Sequence, residues 1–152
     1  MPTPVDSTSS LDVDDAIADV EEHLAVLFGR ARALWKDAAA RIHPELQPVG
    51  YKILSAIVRQ GETNAYVLAQ LLETDKSVVS RQVRMLEDAG LVESRADERD
   101  GRARVLVPSA DAIERVHAVR TGQQERLREL LRSQPVDDVR TFASMLQLIS
   151  EN

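Results

Sequence analysis

TDKSVVSRQVRMLEDAGLVESRADERDGRARVLV, residues 74–107, contains a change of period that decides the fold. Over 76–89, apolar Val79, Val83 and Leu86 recur three and four apart, the spacing of one helical face. Thr74 or Asp75 can cap that helix, and Gly90 can stop it. Beyond Gly90 the period falls to two. Leu91, Val92, Glu93, Ser94 and Arg95 predict one strand, and Arg104, Val105, Leu106 and Val107 a second. The charged segment between them, 96–102, contains Asp100-Gly101, a strong turn signal. The stretch therefore reads as a helix followed by a β-hairpin with a charged tip.

Upstream, Glu73-Thr74-Asp75 is a short turn. Thr63 is a plausible N-cap for a short helix carrying Tyr66, Val67, Leu68, Leu71 and Leu72. The segment 49–59 predicts another helix, with Ile53, Leu54, Ile57 and Val58 apolar and Gly61 after its end. Pro44 and Pro48 bracket a loop. Before them, 11–42 predicts one long helix, with Val13, Ile17, Val20, Leu24, Leu27, Phe28, Ala31, Leu34, Trp35, Ala38 and Ile42 at helical spacing. Downstream, Pro108 and Ser109 open a helix to about Arg132, Pro135 breaks it, and 136–149 is a last helix.

The fold class is thus mainly α: a winged helix-turn-helix whose N- and C-terminal helices form a dimerisation layer. Residues 1–10 read as a flexible tail, 11–48 and 108–152 as dimerisation helices, and 49–107 as the winged unit. The terminal helices carry more apolar surface than the middle unit can cover, so a second copy is expected to cover the rest.

Composition narrows the function. The chain has 152 residues, 43% hydrophobic but only 3% aromatic, so its core must rest on aliphatic side chains. There is no cysteine, which excludes disulfides, thiolate metal sites and thiol redox sensing. No apolar run is long enough to span a membrane, and the first residues lack the pattern of a secretory signal, so a cytoplasmic location is expected. His23, His43 and His117 show no ligand spacing, and no metal or other cofactor is expected. No phosphate loop or nucleophile-base set supports an enzyme.

The net charge of −6 argues against a nucleic-acid partner only until it is located. Between residues 11 and 22 stand six acids and no base, which equals the whole excess. From Asp75 to Arg104, seven acids are matched by seven bases. Local placement decides whether such a surface can meet phosphates.

Two short helices joined by a tight turn, the second with a polar outer face, form the arrangement that places a helix in a DNA major groove. The outward positions are Lys76, Ser77, Ser80, Arg81 and Arg84. Serine admits close backbone approach, and arginine can grip a guanine edge or a phosphate with two bonds. At the hairpin tip, Arg102 can extend into a narrow minor groove, with Arg99 as second candidate. Asp100 is expected to hold the Arg102 guanidinium. Trp35 and Tyr51 either line a small-molecule pocket between the first helix and the winged unit or serve the core or an interface.

Leu68-Ala69, Ser77 with Ser80-Arg81, the run Leu86-Glu87-Asp88-Ala89-Gly90-Leu91-Val92 and the tip Asp97-Glu98-Arg99-Asp100-Gly101-Arg102 together resemble the MarR-type regulators. By motif the resemblance spans 63–107; by helix order it spans the chain. It implies a transcription regulator, by default a repressor, that binds double-stranded DNA as a homodimer with intertwined terminal helices. It also implies a small-molecule effector. On this pattern Asp100 and Arg102 take the wing positions, and Ser77, Ser80, Arg81 and Arg84 those of the recognition helix. The family's Leu-Thr and later glycine after the second strand are replaced by Val107-Pro108-Ser109-Ala110-Asp111-Ala112, so the path into the fifth helix is expected to differ. The competing readings are a solvated helix face with a plain charged hairpin, and a winged-helix module that binds protein. The polar outer face argues against the second, because protein-binding faces carry apolar anchors.

Overall fold

The computed structural model describes residues 7–151, with side chains described over 12–151. The chain runs α1 Ser7–Ile42, α2 Pro48–Gln60, α3 Ala65–Leu71, α4 Lys76–Asp88, β1 Val92–Ala96, β2 Arg104–Pro108, α5 Ala110–Arg132 and α6 Val136–Ser150. This is the expected mainly helical fold with a two-stranded wing. Helix α1 starts at Ser7, so Ser7 to Ser10 of the expected tail are helical. Residues 1–6 lie outside the described residues.

The core sits where α2 crosses α4. Ile53, Leu54 and Ile57 of α2 meet Leu68 of α3, Val79 and Leu86 of α4, and Leu91 after it, all with almost no exposure. Gly50 allows a close approach: a Cβ there would lie 2.6 Å from Leu46 Cδ1 and 2.8 Å from Gln82 Oε1. At the end of α2, Gly61 takes φ 75° and its N–H donates to the Ile57 carbonyl. Gly90 does the same duty after α4 at φ 70°, where a side chain would be strained.

Local capping differs from the expectation at α3. Asn64, not Thr63, caps α3, its Oδ1 accepting from Val67 N–H at 2.9 Å. Thr63 instead pairs with Leu106 in a short bridge, giving and receiving one backbone hydrogen bond. Its backbone is thus committed to the sheet, which ties the wing to the segment before α3. Before α4, Asp75 occupies the cap position without a side-chain bond, and the Thr74 hydroxyl donates to the Leu72 carbonyl. Asp75 is thus the N-cap residue, one of the two expected candidates, with its side chain unused in the cap. Glu73 lies in the same turn at φ 48°, an uncommon conformation for a non-glycine residue.

The wing strands pair antiparallel, Val92 with Pro108 through Ala96 with Arg104. Pro108 closes β2, and Ser109 immediately caps α5 by accepting from Ala112 N–H at 3.1 Å. Ser109 N–H also donates to the Leu91 carbonyl. Arg115 of α5 donates to the Ile42 carbonyl at 2.6 Å, placing a cation at the negative end of α1.

The terminal helices are different in kind. On α1, Ala38, Ala39 and Ile42 are buried, whereas Val13, Ile17, Val20 and Phe28 are half exposed or more. No residue of α6 is buried. Leu86→Ala, in the α2–α4 core, should lower unfolding free energy by about 2–5 kcal/mol, because the site is fully packed. Val13→Ala, on the exposed stripe, should cost far less at concentrations where the chain is monomeric. Chemical denaturation of both variants checks the contrast.

Candidate nucleic-acid interface

Helix α4 turns Val79, Val83 and Leu86 into the core, so its opposite face is fixed outward. Lys76, Ser77, Ser80, Arg81 and Arg84 are all exposed there. Among the described residues none of these cations forms an ion pair. Their donors are therefore open to an external acceptor. Arg81 and Arg84 also line a cleft of about 320 Å³ with His43, Glu45, Met85 and Asp88. The loop between α1 and α2 thus sits against the flank of α4. Sequence reading missed His43 and Glu45 here, because nothing local to that loop signals which helix it meets. His43 Nδ1 accepts the Glu45 N–H at 3.2 Å, which shapes this loop.

The wing tip corrects one expectation. Asp100 does not hold the Arg102 guanidinium; its Oδ1 accepts the Arg102 backbone N–H at 3.1 Å. Asp97 does the same for Arg99 N–H at 2.8 Å. Both aspartates spend their carboxylates on local turns, the habit of a short acidic side chain two residues before a free N–H. The turn is closed by Ala103 N–H to the Asp100 carbonyl at 2.9 Å. The tip backbone is braced, and among the described residues no ion pair restrains Arg99 or Arg102.

Two other wing arginines are occupied. Arg104 donates to Ser94 Oγ at 2.9 Å and to the Ser94 carbonyl at 3.0 Å, bracing the hairpin across its strands. Arg95 pairs with Glu93 at 3.1 Å. The Arg95 hydrogen bond, then its charge, hold the Glu93 carboxyl below its ordinary value. Division of labour among the four arginines is thus set by what lies within reach of each.

The candidate pocket residues separate. Trp35 lines a cleft of about 660 Å³ between α1, the start of α2 and the α3–α4 turn. Arg32, Lys52, Leu71, Leu72, Glu73 and Thr74 share it. Lys52 Nζ lies 4.1 Å from the centre of the Trp35 ring, a cation–π contact. Tyr51 does not line this cleft; it is 6% exposed and belongs to the core. Its neighbour Lys52 takes the solvent-facing position on α2, one helical step away.

The acidic excess is remote from this surface. Glu22 stands 20 residues before Ile42, so roughly 30 Å of helix separates the acidic turns from the end that meets the winged unit. Screening at physiological salt acts over about 8 Å, so those acids do not set the potential at α4.

A MarR family model matches residues 46–103, the span from the loop before α2 to the wing. The winged helix of this chain is thus similar to that of the MarR family. Solved structures of similar fold extend the likeness to the terminal helices. A MarR family transcription regulator superposes with TM-score 0.82 at 14% identity, covering 95% of this chain and 94% of that one. FabT from Streptococcus pneumoniae, solved in complex with DNA, gives TM-score 0.81 at 11% identity, covering 89% and 95%. A mutant MarR from E. coli, complexed with operator DNA, gives 0.63 at 17%, covering 89% and 96%. No curated protein matches the sequence.

Arg95→Ala should return the Glu93 carboxyl towards its ordinary pKa, followed by NMR titration. The sign is fixed: the pair is intact at neutral pH and is lost as pH falls through the lowered Glu93 pKa. The exposed position limits the consequence to the wing itself.

Proposed function

We propose that this chain is a cytoplasmic, MarR-type transcription regulator that binds a pseudo-palindromic DNA operator as a homodimer and acts as a repressor. One observation carries the reading: an exposed, unpaired Ser and Arg face on α4 stands beside a braced wing with two unpaired arginines. The face suits a major groove, about 12 Å wide, which admits one helix. Ser77, Ser80, Arg81 and Arg84 read base edges there; Lys76 meets the backbone. Arg99 and Arg102 meet the adjoining minor groove, where a narrow cleft deepens the negative potential.

The dimer follows from the apolar surface. Exposed Val13, Ile17, Phe28, Leu130, Phe142, Met145 and Ile149 would leave a large apolar area in water on an isolated chain. Pairing two copies covers it and sets two recognition helices at a fixed separation. Half-sites should then lie about 10 base pairs apart, one turn of the duplex. A dimer seated on a promoter excludes other proteins from it, which favours repression. These are the roles of a binding protein, not of an enzyme.

Release by a small molecule has a site in this reading. The Trp35 cleft has the size of a ligand pocket, typically about 300–1,000 Å³. Arg32 and Lys52 supply positive charge, Trp35 a stacking face, and Leu71 and Leu72 apolar wall. An aromatic carboxylate fits that set. Glu73 and Thr74 form the turn ahead of α4, so an occupant pressing on them shifts the recognition helix.

Arg81→Ala or Arg84→Ala should each cost about 1–3 kcal/mol of operator binding and relax base preference. Arg102→Ala should weaken binding to all sequences alike and flatten the dependence on salt. Anisotropy titrations against operator variants at several salt concentrations separate the two patterns. Unchanged rank order of operators after both α4 changes would refute the recognition-helix assignment. Trp35 is the chain's one tryptophan, so its fluorescence reports the cleft directly. Titration with benzoate or naphthoate should change that signal, and Lys52→Met should weaken the response. An indifferent signal across millimolar ligand would remove these aromatic carboxylates as occupants.

A further inference from the structure

The cleft beside α4 holds a hydrogen-bond donor that α4 does not supply. Arg81, Met85 and Asp88, spaced by four and three, follow one flank of the helix. His43 and Glu45 of the α1–α2 loop line the same space of about 320 Å³, and Arg84 shares it.

That loop is held at both ends. The Ile42 carbonyl accepts from Arg115 at 2.6 Å, and His43 N–H donates to the Ala39 carbonyl at 3.0 Å. Leu46, whose side chain is buried, donates its N–H to the His43 carbonyl at 3.0 Å. A fixed backbone therefore presents the imidazole. The tautomer is fixed as well. Nδ1 accepts the Glu45 N–H at 3.2 Å, so it carries no proton. The proton of the neutral ring then stands on Nε2, which becomes a donor. Among the described residues Nε2 has no hydrogen-bond partner.

The charges around the cleft narrow what that donor can meet. Arg81 and Arg84 stand with Glu45 and Asp88, and among the described residues none of the four forms an ion pair. Two cations beside two acids give a free anion little net attraction. An acceptor must be carried there by a larger ligand already seated on the protein. Duplex DNA on the face of α4 does this. A helix with its side chains is about 10–12 Å across and fills a major groove about 12 Å wide. The sugar-phosphate walls of that groove therefore run along both flanks of the helix. One wall passes the flank that carries the cleft.

We propose that His43 Nε2 donates a hydrogen bond to a DNA backbone phosphate on this flank of α4. The inference rests on the DNA-binding reading above and adds to it a contact from outside the winged unit. A contact of this kind positions the duplex without reading its sequence. It also differs from that of Arg102: a neutral donor displaces no counterion, so its loss leaves the salt dependence unchanged.

The test replaces the two ring nitrogens one at a time. In His43→Asn the side-chain oxygen can still accept the Glu45 N–H, but no donor reaches the place of Nε2. In His43→Gln the amide nitrogen reaches that place, but the loop bond is lost. Anisotropy is read with a duplex that the natural chain selects from a random pool, and with a scrambled duplex of the same length. His43→Asn should weaken binding to both duplexes by about threefold to tenfold per contact, with the same slope against salt. His43→Gln should bind as the natural chain does. The reverse order, or no effect of either change, would mean that His43 serves the loop alone and overturns the contact. A loss confined to the selected duplex would assign a base contact and overturn the phosphate. Inorganic phosphate should leave the NMR resonance of His43 Nε2 unmoved, whereas the duplex should shift it. Saturation by inorganic phosphate would make the cleft a small-anion site and overturn the DNA assignment. A natural chain that binds neither duplex overturns the DNA-binding reading itself.

Discussion

Everything this molecule presents to its surroundings depends on the burial of one face of α4. Val79, Val83 and Leu86 pack against α2, and the rotation of α4 about its axis is thereby fixed. A helix has only one face opposite its buried one. Once those three side chains are inside, Ser77, Ser80, Arg81 and Arg84 have no choice but solvent. Gly50 keeps α2 close to this packing: a Cβ there would oblige the ends of the Leu46 and Gln82 side chains to move. The exposed face of α4 is thus set by close packing on the far side of the helix, where a misfit of one methylene is felt.

The same logic separates what was legible in the sequence from what was not. Period and punctuation gave the order of elements to within a few residues, because burial imposes 3.6 on helices and two on strands. Lys76, Ser77, Ser80, Arg81 and Arg84 were readable for that reason. The failures concern hydrogen bonds chosen among near-equal options. Asp100 had a guanidinium and a backbone N–H within reach, and the backbone N–H, already held in place, is where its bond goes. Thr63 and Asn64 were both competent caps, but Thr63 was claimed by Leu106, a partner 43 residues away. Tyr51 and Lys52 are adjacent on a helix, so a small error in phase exchanges core for cleft.

The wing shows how backbone economy serves an electrostatic surface. Four arginines stand on or beside the hairpin. Arg95 and Arg104 are spent on Glu93 and Ser94, which stiffen the strands. Asp97 and Asp100 could have neutralised Arg99 and Arg102, yet both carboxylates turn inward to backbone donors. A guanidinium already paired must break that pair before it meets a phosphate; these two do not. The acids at the tip therefore organise the loop without blocking its charge.

Geometry also connects the two ends of the molecule. The Trp35 cleft is bounded on one side by α1 and on the other by the turn ahead of α4. Helix α1 is continuous from that cleft to its acidic turns. In the proposed dimer, α1 belongs to the pairing layer, whereas the turn ahead of α4 belongs to the winged unit. Under the proposed function, a ligand wedged between them changes the separation of the two α4 helices of the dimer, not only the tilt of one. Two grooves one helical turn apart on a duplex tolerate little change in that separation. Arg32 of α1 and Lys52 of α2 both line the cleft, so an anion seated there would meet two cations.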